Sequence, residues 1–356
     1  METTHKVYFK NASDMSEIKS NSIDLIITSP PYPMIEIWDP LFLSLNSEIK
    51  QALEEGKGKS AFDLMHQELD KVWIEVTRVL KDGGMVCVNV GDATRKIGNS
   101  FQLFPNHIKI ANSFLNKEFI ELPSILWRKP TNSPNKFMGS GMLPPHAYIT
   151  LEHEYILIFR KGNAKREIPS KSETRYNSAY FWEERNSWFS DIWMDIIGAS
   201  QEINNNKKDS DVRKRSAAFP LELPYRLINM FSLYGDTILD PFWGTGTTSL
   251  AAMISSRNSI GYEISSEFSK IFKKNIKNLK QLNLDINKNR INQHVDFIKK
   301  YNKKGKQIKY NSVYYKLPVV TKQEIDILLY SIKDVSENRN EFKLTYEKFK
   351  LDNKPY

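Results

Sequence analysis

The chain has 356 residues, 40% of them hydrophobic, which suits one large α/β domain with an appended part, or two domains. Its single cysteine, Cys87, excludes a disulfide framework and a cysteine-rich metal site, and no metal is expected. A formal net charge of +9 admits an acidic partner such as nucleic acid, while no stretch approaches a membrane span. The opening METTHKVYFKNASD lacks an apolar signal core, so a soluble cytoplasmic protein is the expectation.

In chain order, residues 7–9 form a short strand candidate and residues 15–18 a helical stretch. Residues 22–28 are short, apolar and β-branched, and read as a core strand. ITSPPYPMIEIWD, residues 27–39, then stops it: proline cannot donate to a sheet ladder, and each proline pushes its predecessor out of the helical region. A stiff, extended Ser29-Pro30-Pro31-Tyr32 results, at the strand edge where open α/β sheets bind ligands. Residues 60–80 carry apolar side chains at helical spacing, and Lys81-Asp82-Gly83-Gly84 is a stop signal. Residues 85–90 (MVCVNV) form a buried strand, 104–115 a helix, and 119–127 and 155–159 strands. Residues 220–234 form a helix closed by Gly235, 237–240 a strand, 249–255 a helix and 259–263 a strand. This alternation predicts a mainly parallel sheet. Residues 131–216 break the rhythm as an insertion or small lobe.

From residue 270 onward there are 21 Lys+Arg against 9 Asp+Glu. A solvated basic helical extension and a phosphate-contacting surface explain this equally well.

In GDTILDPFWGTGTTSLAA, residues 235–252, a strand ends in Asp240, and a turn with Gly244 and Gly246 leads into a helix. Glycines let a ligand approach the backbone, and the helix start offers free N–H groups. Thr247-Thr248 stand where a P-loop needs lysine, and the third glycine of the dinucleotide fingerprint is missing. Glu263, at the tip of the next strand, is placed to take hydrogen bonds from ribose hydroxyls. A nucleoside without a pyrophosphate fits this pattern.

DPFWGTGTT resembles the S-adenosylmethionine-binding motif of the amino-DNA methyltransferases, and TSPPY resembles their catalytic motif. The catalytic motif comes first, as in the β-class of that family, typically partners of restriction endonucleases. The match runs from about residue 7 to 268 and includes RVLKDGGMVCVNVGD (78–92), EHEYILIFRKG (152–162) and AAFPLELPYRLI (217–228). The resemblance implies a mostly parallel, seven-stranded, Rossmann-like sheet, circularly permuted. Residues 1–131 would be the catalytic half and 132–216 the target-recognition insert, with a core strand near 152–160. Residues 217–269 would be the cofactor half and 270–356 a basic, helical extension. It implies S-adenosylmethionine as cofactor, double-stranded DNA as substrate and a cognate restriction endonuclease as functional partner. A monomer or homodimer acting at a prokaryotic nucleoid is expected.

By the same resemblance, Asp240, Phe242, Gly244, Gly246 and Thr247 line the cofactor and Glu263 holds its ribose. Phe219, Pro220 and Glu222 sit near the methionine moiety. Asn11 stands near the adenine, where relatives often have an acid. Ser29, Pro30, Pro31 and Tyr32 hold the target base.

An exocyclic amine is a poor nucleophile because its lone pair is delocalised into the ring. The Ser29 side chain and Pro30 carbonyl can accept its two hydrogens, aim the lone pair and stabilise developing positive charge. Tyr32 can stack on a flipped base. Serine at the first motif position resembles the cytosine-N4 branch; adenine-N6 is the alternative. Attack through a thiolate is disfavoured, since Cys87 lies inside a buried strand. An RNA or protein methyltransferase and an inactive DNA-binding relative are more distant alternatives, which motif order and intact motifs oppose. His146 and His153 have poor metal spacing and are expected in structural or DNA-contact roles. Residues 175–193 either read bases through Arg and Asn or form an aromatic mini-core.

Overall fold

The computed structural model describes residues 1–129, 138–196, 219–305 and 307–351. Among them, ten strands form the main sheet: β1 (Glu2–Tyr8), β2 (Ile23–Thr28), β3 (Leu80–Val90), β4 (Phe119–Arg128), β5 (His153–Lys161), β6 (Ile192–Trp193), β7 (Thr237–Asp240), β8 (Asn258–Tyr262), β9 (Tyr330–Asn338) and β10 (Glu341–Lys348). Their order is β6-β4-β5-β3-β2-β7-β8-β1-β10-β9. The run β3-β2-β7-β8-β1 is parallel throughout, and β5 is antiparallel to both neighbours.

Among the described residues, the helices of eight or more residues are α1 (Gly58–Val79), α2 (Asn106–Leu115), α3 (Glu222–Phe231), α4 (Thr247–Ile254), α5 (Phe268–Ile276) and α6 (Leu279–Lys303). They cover both faces of the sheet, so its central strands must be apolar on both. In β2, Ile23 and Ile26 join the core packed by α1 and α2, while Leu25 and Ile27 join the core packed by α3, α4 and α5. In α1, Phe62, Met65, Leu69, Val72, Trp73, Val76 and Val79 recur at three- and four-residue steps and are all buried.

Three sequence expectations change. Residues 15–18 form no helix: the Asn11 and Asp14 side chains accept from the Ser13 and Ser16 N–H groups, which favours tight turns over a helix. Gly83 and Gly84 do not separate helix from strand. The chain enters β3 at Leu80 and runs through them, with Gly83 at φ +75° and an irregular register against β2. The sheet has ten strands rather than seven: β6, from the insert, adds one beside β4, and the carboxyl-terminal part, which is not simply helical, adds two. After α5 and α6 the chain forms hairpin β9–β10, whose β10 pairs antiparallel with β1. Phe342, Leu344 and Tyr346 are buried at alternate positions and complete the second core.

Residues 175–193 form the aromatic mini-core: Phe181, Trp188 and Trp193 are buried, and the carboxylate of Glu184 is paired with Arg290 of α6. Nearby, Glu183, His294 and Glu324 bring ligand-type atoms within 4.8 Å of one another. His294 spends both nitrogens on protein contacts, Nδ1 with Glu183 and Nε2 with the Pro318 carbonyl, each at 2.9 Å. The carbonyl can only accept, so Nε2 carries a hydrogen and Nδ1 faces the Glu183 carboxylate. His146 is exposed, and His153 packs edge-on to Tyr155.

Candidate active site

The carboxyl ends of β2, β7 and β8 lie side by side, because these strands are adjacent and parallel. They deliver Ser29–Tyr32, the glycine turn and Glu263 to one edge of the sheet. Ser29 is half-buried, and Pro30, Pro31 and Tyr32 are buried. The Tyr32 carbonyl accepts from Ile35 N–H at 3.2 Å, which turns the chain after the motif.

Tyr32 is no free-standing platform. Its ring belongs to the core and is 7% exposed, and a Cβ at Gly91 would lie 3.1 Å from it. Its hydroxyl lies 2.9 Å from Ser29 Oγ and donates to Glu154 Oε2 at 3.1 Å. Asn89 Nδ2 donates to the Tyr32 hydroxyl at 3.0 Å and to Glu154 Oε2 at 2.6 Å, and Lys129 Nζ donates to Glu154 Oε1 at 2.8 Å. Burial pushes the Tyr32 phenol well above its usual range, and the Glu154 charge pushes the same way.

Asp240 is 3% exposed. Thr28 Oγ1 donates to its Oδ1 and Thr248 Oγ1 to its Oδ2, both at 2.7 Å, and Phe242 N–H donates to Oδ1 at 3.1 Å. These donors all come from the protein, so the carboxylate braces β2, the turn and α4. Burial lifts its pKa to about 6 against the pull of those donors. Glu263 accepts from Gly244 N–H at 2.9 Å and from Ser265 N–H at 2.8 Å, and burial raises its pKa.

The two glycines have different reasons. Gly244, at φ +51°, has only the Phe242 carbonyl, at 3.9 Å, near where a Cβ would stand. A Cβ at Gly246, φ +78°, would lie 2.4 Å from the Phe272 ring and 2.7 Å from the Trp243 ring, so Gly246 serves packing. Thr247 opens α4, with its hydroxyl 3.3 Å from that of Thr245, and Phe242 packs edge-on against Trp73. Phe219 and Pro220 are buried just before α3. Glu222, the first residue of α3, accepts from Arg226 Nε at 2.8 Å, and Arg226 also makes a bidentate pair with Asp195. Asn11 spends its side-chain oxygen on the turn after β1.

Residues 23–274 match the family model described as DNA methylase, that of the N6/N4 methyltransferases. The chain belongs to the N6/N4 DNA methylase family. It is 51% identical over 350 residues to the type II methyltransferase M.MthZI of Methanothermobacter thermautotrophicus, covering 98% of this chain and 96% of that one. It is 50% identical over 303 residues to the type II methyltransferase M.MjaI of Methanocaldococcus jannaschii, covering 82% and 97%. Among solved structures, a putative DNA modification methylase from Thermus thermophilus, complexed with S-adenosyl-L-methionine, superposes with TM-score 0.59 at 29% identity, over 77% of this chain and 94% of that one. The PvuII cytosine-N4-specific enzyme shares the fold, with TM-score 0.50 at 18% identity over 76% and 86%.

This N6/N4 DNA methylase is thus an S-adenosylmethionine-dependent amino-DNA methyltransferase of the restriction–modification type, with DNA as its substrate. Its own residues fit the cofactor. The open side of Gly244, the start of α4 and the Glu263 carboxylate at the tip of β8 form a cradle without a phosphate-binding lysine. Sequence reasoning assigned no role to Thr28, Thr248, Asn89, Lys129 or Glu154. Two left a signal: Asn89 is the one polar side chain in the apolar run 85–90, and Glu154 is an acid beside the apolar stretch of β5.

Proposed function

We propose that this methylase modifies the exocyclic N4 amine of cytosine at specific sites in duplex DNA, protecting them from a cognate restriction endonuclease. The observation that carries the reading is a neutral serine, Ser29, half-buried at the carboxyl end of β2 beside the glycine turn. S-adenosylmethionine supplies an electrophilic methyl group on a sulfonium. Ser29 Oγ and the Pro30 carbonyl accept the two amine hydrogens, turn the nitrogen towards tetrahedral geometry and stabilise its developing positive charge. Pro30 and Pro31 hold these acceptors with little reorganisation. Tyr32 forms a wall against which an extruded base rests. Gly244 and Glu263 hold the nucleoside part of the cofactor, with Phe242 and Thr247 beside them and Phe219 and Pro220 towards its methionine end. Residues 132–216 carry target recognition, and the positive balance beyond residue 270 favours contact with phosphates.

Mass spectrometry of hydrolysed, methylated DNA against nucleoside standards tests the product. N4-methylcytosine is expected. N6-methyladenine alone would overturn the cytosine assignment, and 5-methylcytosine would overturn the amine chemistry, for which Ser29–Tyr32 offers no thiolate.

A further inference from the structure

The amine that gains a methyl group must lose a proton, and neither of its acceptors is a base. A peptide carbonyl does not hold a proton at neutral pH, and a serine hydroxyl keeps one only by passing on its own. We propose that the proton leaves through Ser29 and Tyr32 to the carboxylate of Glu154. This rests on the reading of Ser29 as acceptor of an amine hydrogen.

The hydrogen-bond inventory orients the chain. The Tyr32 oxygen has one hydrogen to give and two lone pairs to receive. Asn89 Nδ2 donates to it at 3.0 Å, which occupies one lone pair. Its hydrogen goes to Glu154 Oε2 at 3.1 Å; the competing acceptor, the Asn89 carbonyl, is at 3.4 Å. The second lone pair is left for the Ser29 hydroxyl, 2.9 Å away, which therefore donates to Tyr32. Ser29 then presents lone pairs, not a hydrogen, to the substrate amine. Every donor in the line points away from the reacting nitrogen and towards the carboxylate.

The step balances. The amine lone pair makes the new N–C bond and displaces the thioether, which keeps the electron pair of the broken S–C bond. The nitrogen gives one proton to Ser29 Oγ, the Ser29 hydrogen moves to the Tyr32 oxygen, and the Tyr32 hydrogen moves to Glu154. Tyr32, held well above its usual pKa, relays as a neutral phenol and never stores charge. Lys129 and Tyr32 are the charged and titratable groups bonded to the Glu154 carboxylate, and Asn89 is neutral. The nearby Asp92 is held by His107, which stacks on Tyr155. The Lys129 side chain is 43% exposed, so the far end of the line opens towards water.

The test is single-turnover methyl transfer from radiolabelled S-adenosylmethionine to enzymatically amplified, unmethylated duplex DNA of several kilobases, with enzyme in excess. Wild type is compared with Glu154→Gln, Tyr32→Phe and Ser29→Ala. Glu154→Gln and Tyr32→Phe should each slow transfer by about 10²-fold or more, the usual share of a general base. Calorimetric affinity for S-adenosylmethionine should be unchanged. In mixtures of light and heavy water, wild type should show a curved proton inventory and Glu154→Gln should not. If Glu154→Gln loses cofactor binding, Tyr32→Phe, which removes only the hydroxyl, carries the test through its rate and proton inventory. Wild-type rate and proton inventory in Glu154→Gln, with a slow Ser29→Ala, would overturn the relay and leave the Ser29 reading standing. An undiminished Ser29→Ala would overturn that reading itself.

Discussion

Thr28 donates its hydroxyl to Asp240 at 2.7 Å across 212 positions of sequence. The bond joins the last residue of β2, directly before the proposed catalytic tetrapeptide, to the residue that begins the glycine turn. The two halves of the proposed reaction centre are therefore held in register by one buried carboxylate, which also grips α4 through Thr248.

Replacing Thr28 by Val keeps the shape and removes that donor. A hydrogen bond to a charged group is worth about 1.5–3 kcal/mol. Urea unfolding of Thr28→Val should show a loss of that order, and methyl transfer should weaken further because two sites lose their mutual alignment.

Asp240 also makes stability depend on pH. Its folded pKa of about 6 lies above the ordinary 3.8, so the fold prefers the protonated acid. The stabilisation is full below pH 3.8 and is lost as pH rises through 6. Two units correspond to about 3 kcal/mol. The stability of the cofactor-free wild type relative to Asp240→Asn should therefore fall by up to about that much between pH 4 and 7, as measured by urea titration. A constant difference would mean that Asp240 is not held in this way.

Gly244 and Gly246 should separate binding from folding. Gly244→Val places a branched side chain in the open cradle and should abolish calorimetric binding of S-adenosylmethionine; left-handed backbone strain adds about 1–2 kcal/mol of destabilisation. Gly246→Ala meets the Phe272 and Trp243 rings and should show itself first as a lowered unfolding midpoint. Equal cofactor affinity in Gly244→Val and wild type would sink the cradle.

The carboxyl-terminal hairpin should prove indispensable to the fold. Leu344 is fully buried on β10, so Leu344→Ala should cost about 2–5 kcal/mol in urea unfolding. Deleting residues 330–351 would bare the edge of β1 and should yield aggregated protein, seen by size-exclusion chromatography.

His294 contributes a pH dependence of the same sign at the joint between α6 and the aromatic mini-core. Burial alone would lower its pKa, but the bond to Glu183 and the charge of Glu183 raise it overall. The imidazolium therefore stabilises fully below the ordinary 6.5, and that contribution is lost as pH rises through the raised value. Thermal unfolding from pH 6 upward should fall more steeply for wild type than for His294→Gln.

The local grammar of the chain determined much of this. A buried strand cut by Pro30 and Pro31, a strand ending in Asp240 before a glycine turn, and helical spacing through α1 are short-range patterns. Steric restriction and hydrophobic periodicity impose them whatever the partners. The TSPPY and DPFWGTGTT motifs that mark the family are short-range patterns of the same kind. What lies between distant segments was decided only by tertiary structure. Whether Asp240 faces a ligand or Thr28, whether Gly246 makes room for a cofactor or for Phe272, and whether the Tyr32 hydroxyl is idle or bonded to Glu154 all depend on strand adjacency. Adjacency follows from how the whole sheet closes its two cores. The basic tail shows the same limit. Its alternating Phe342, Leu344 and Tyr346 were there to be read, yet charge dominated the composition. Only the free edge of β1, which needs a partner for its backbone donors and acceptors, made a strand of that segment.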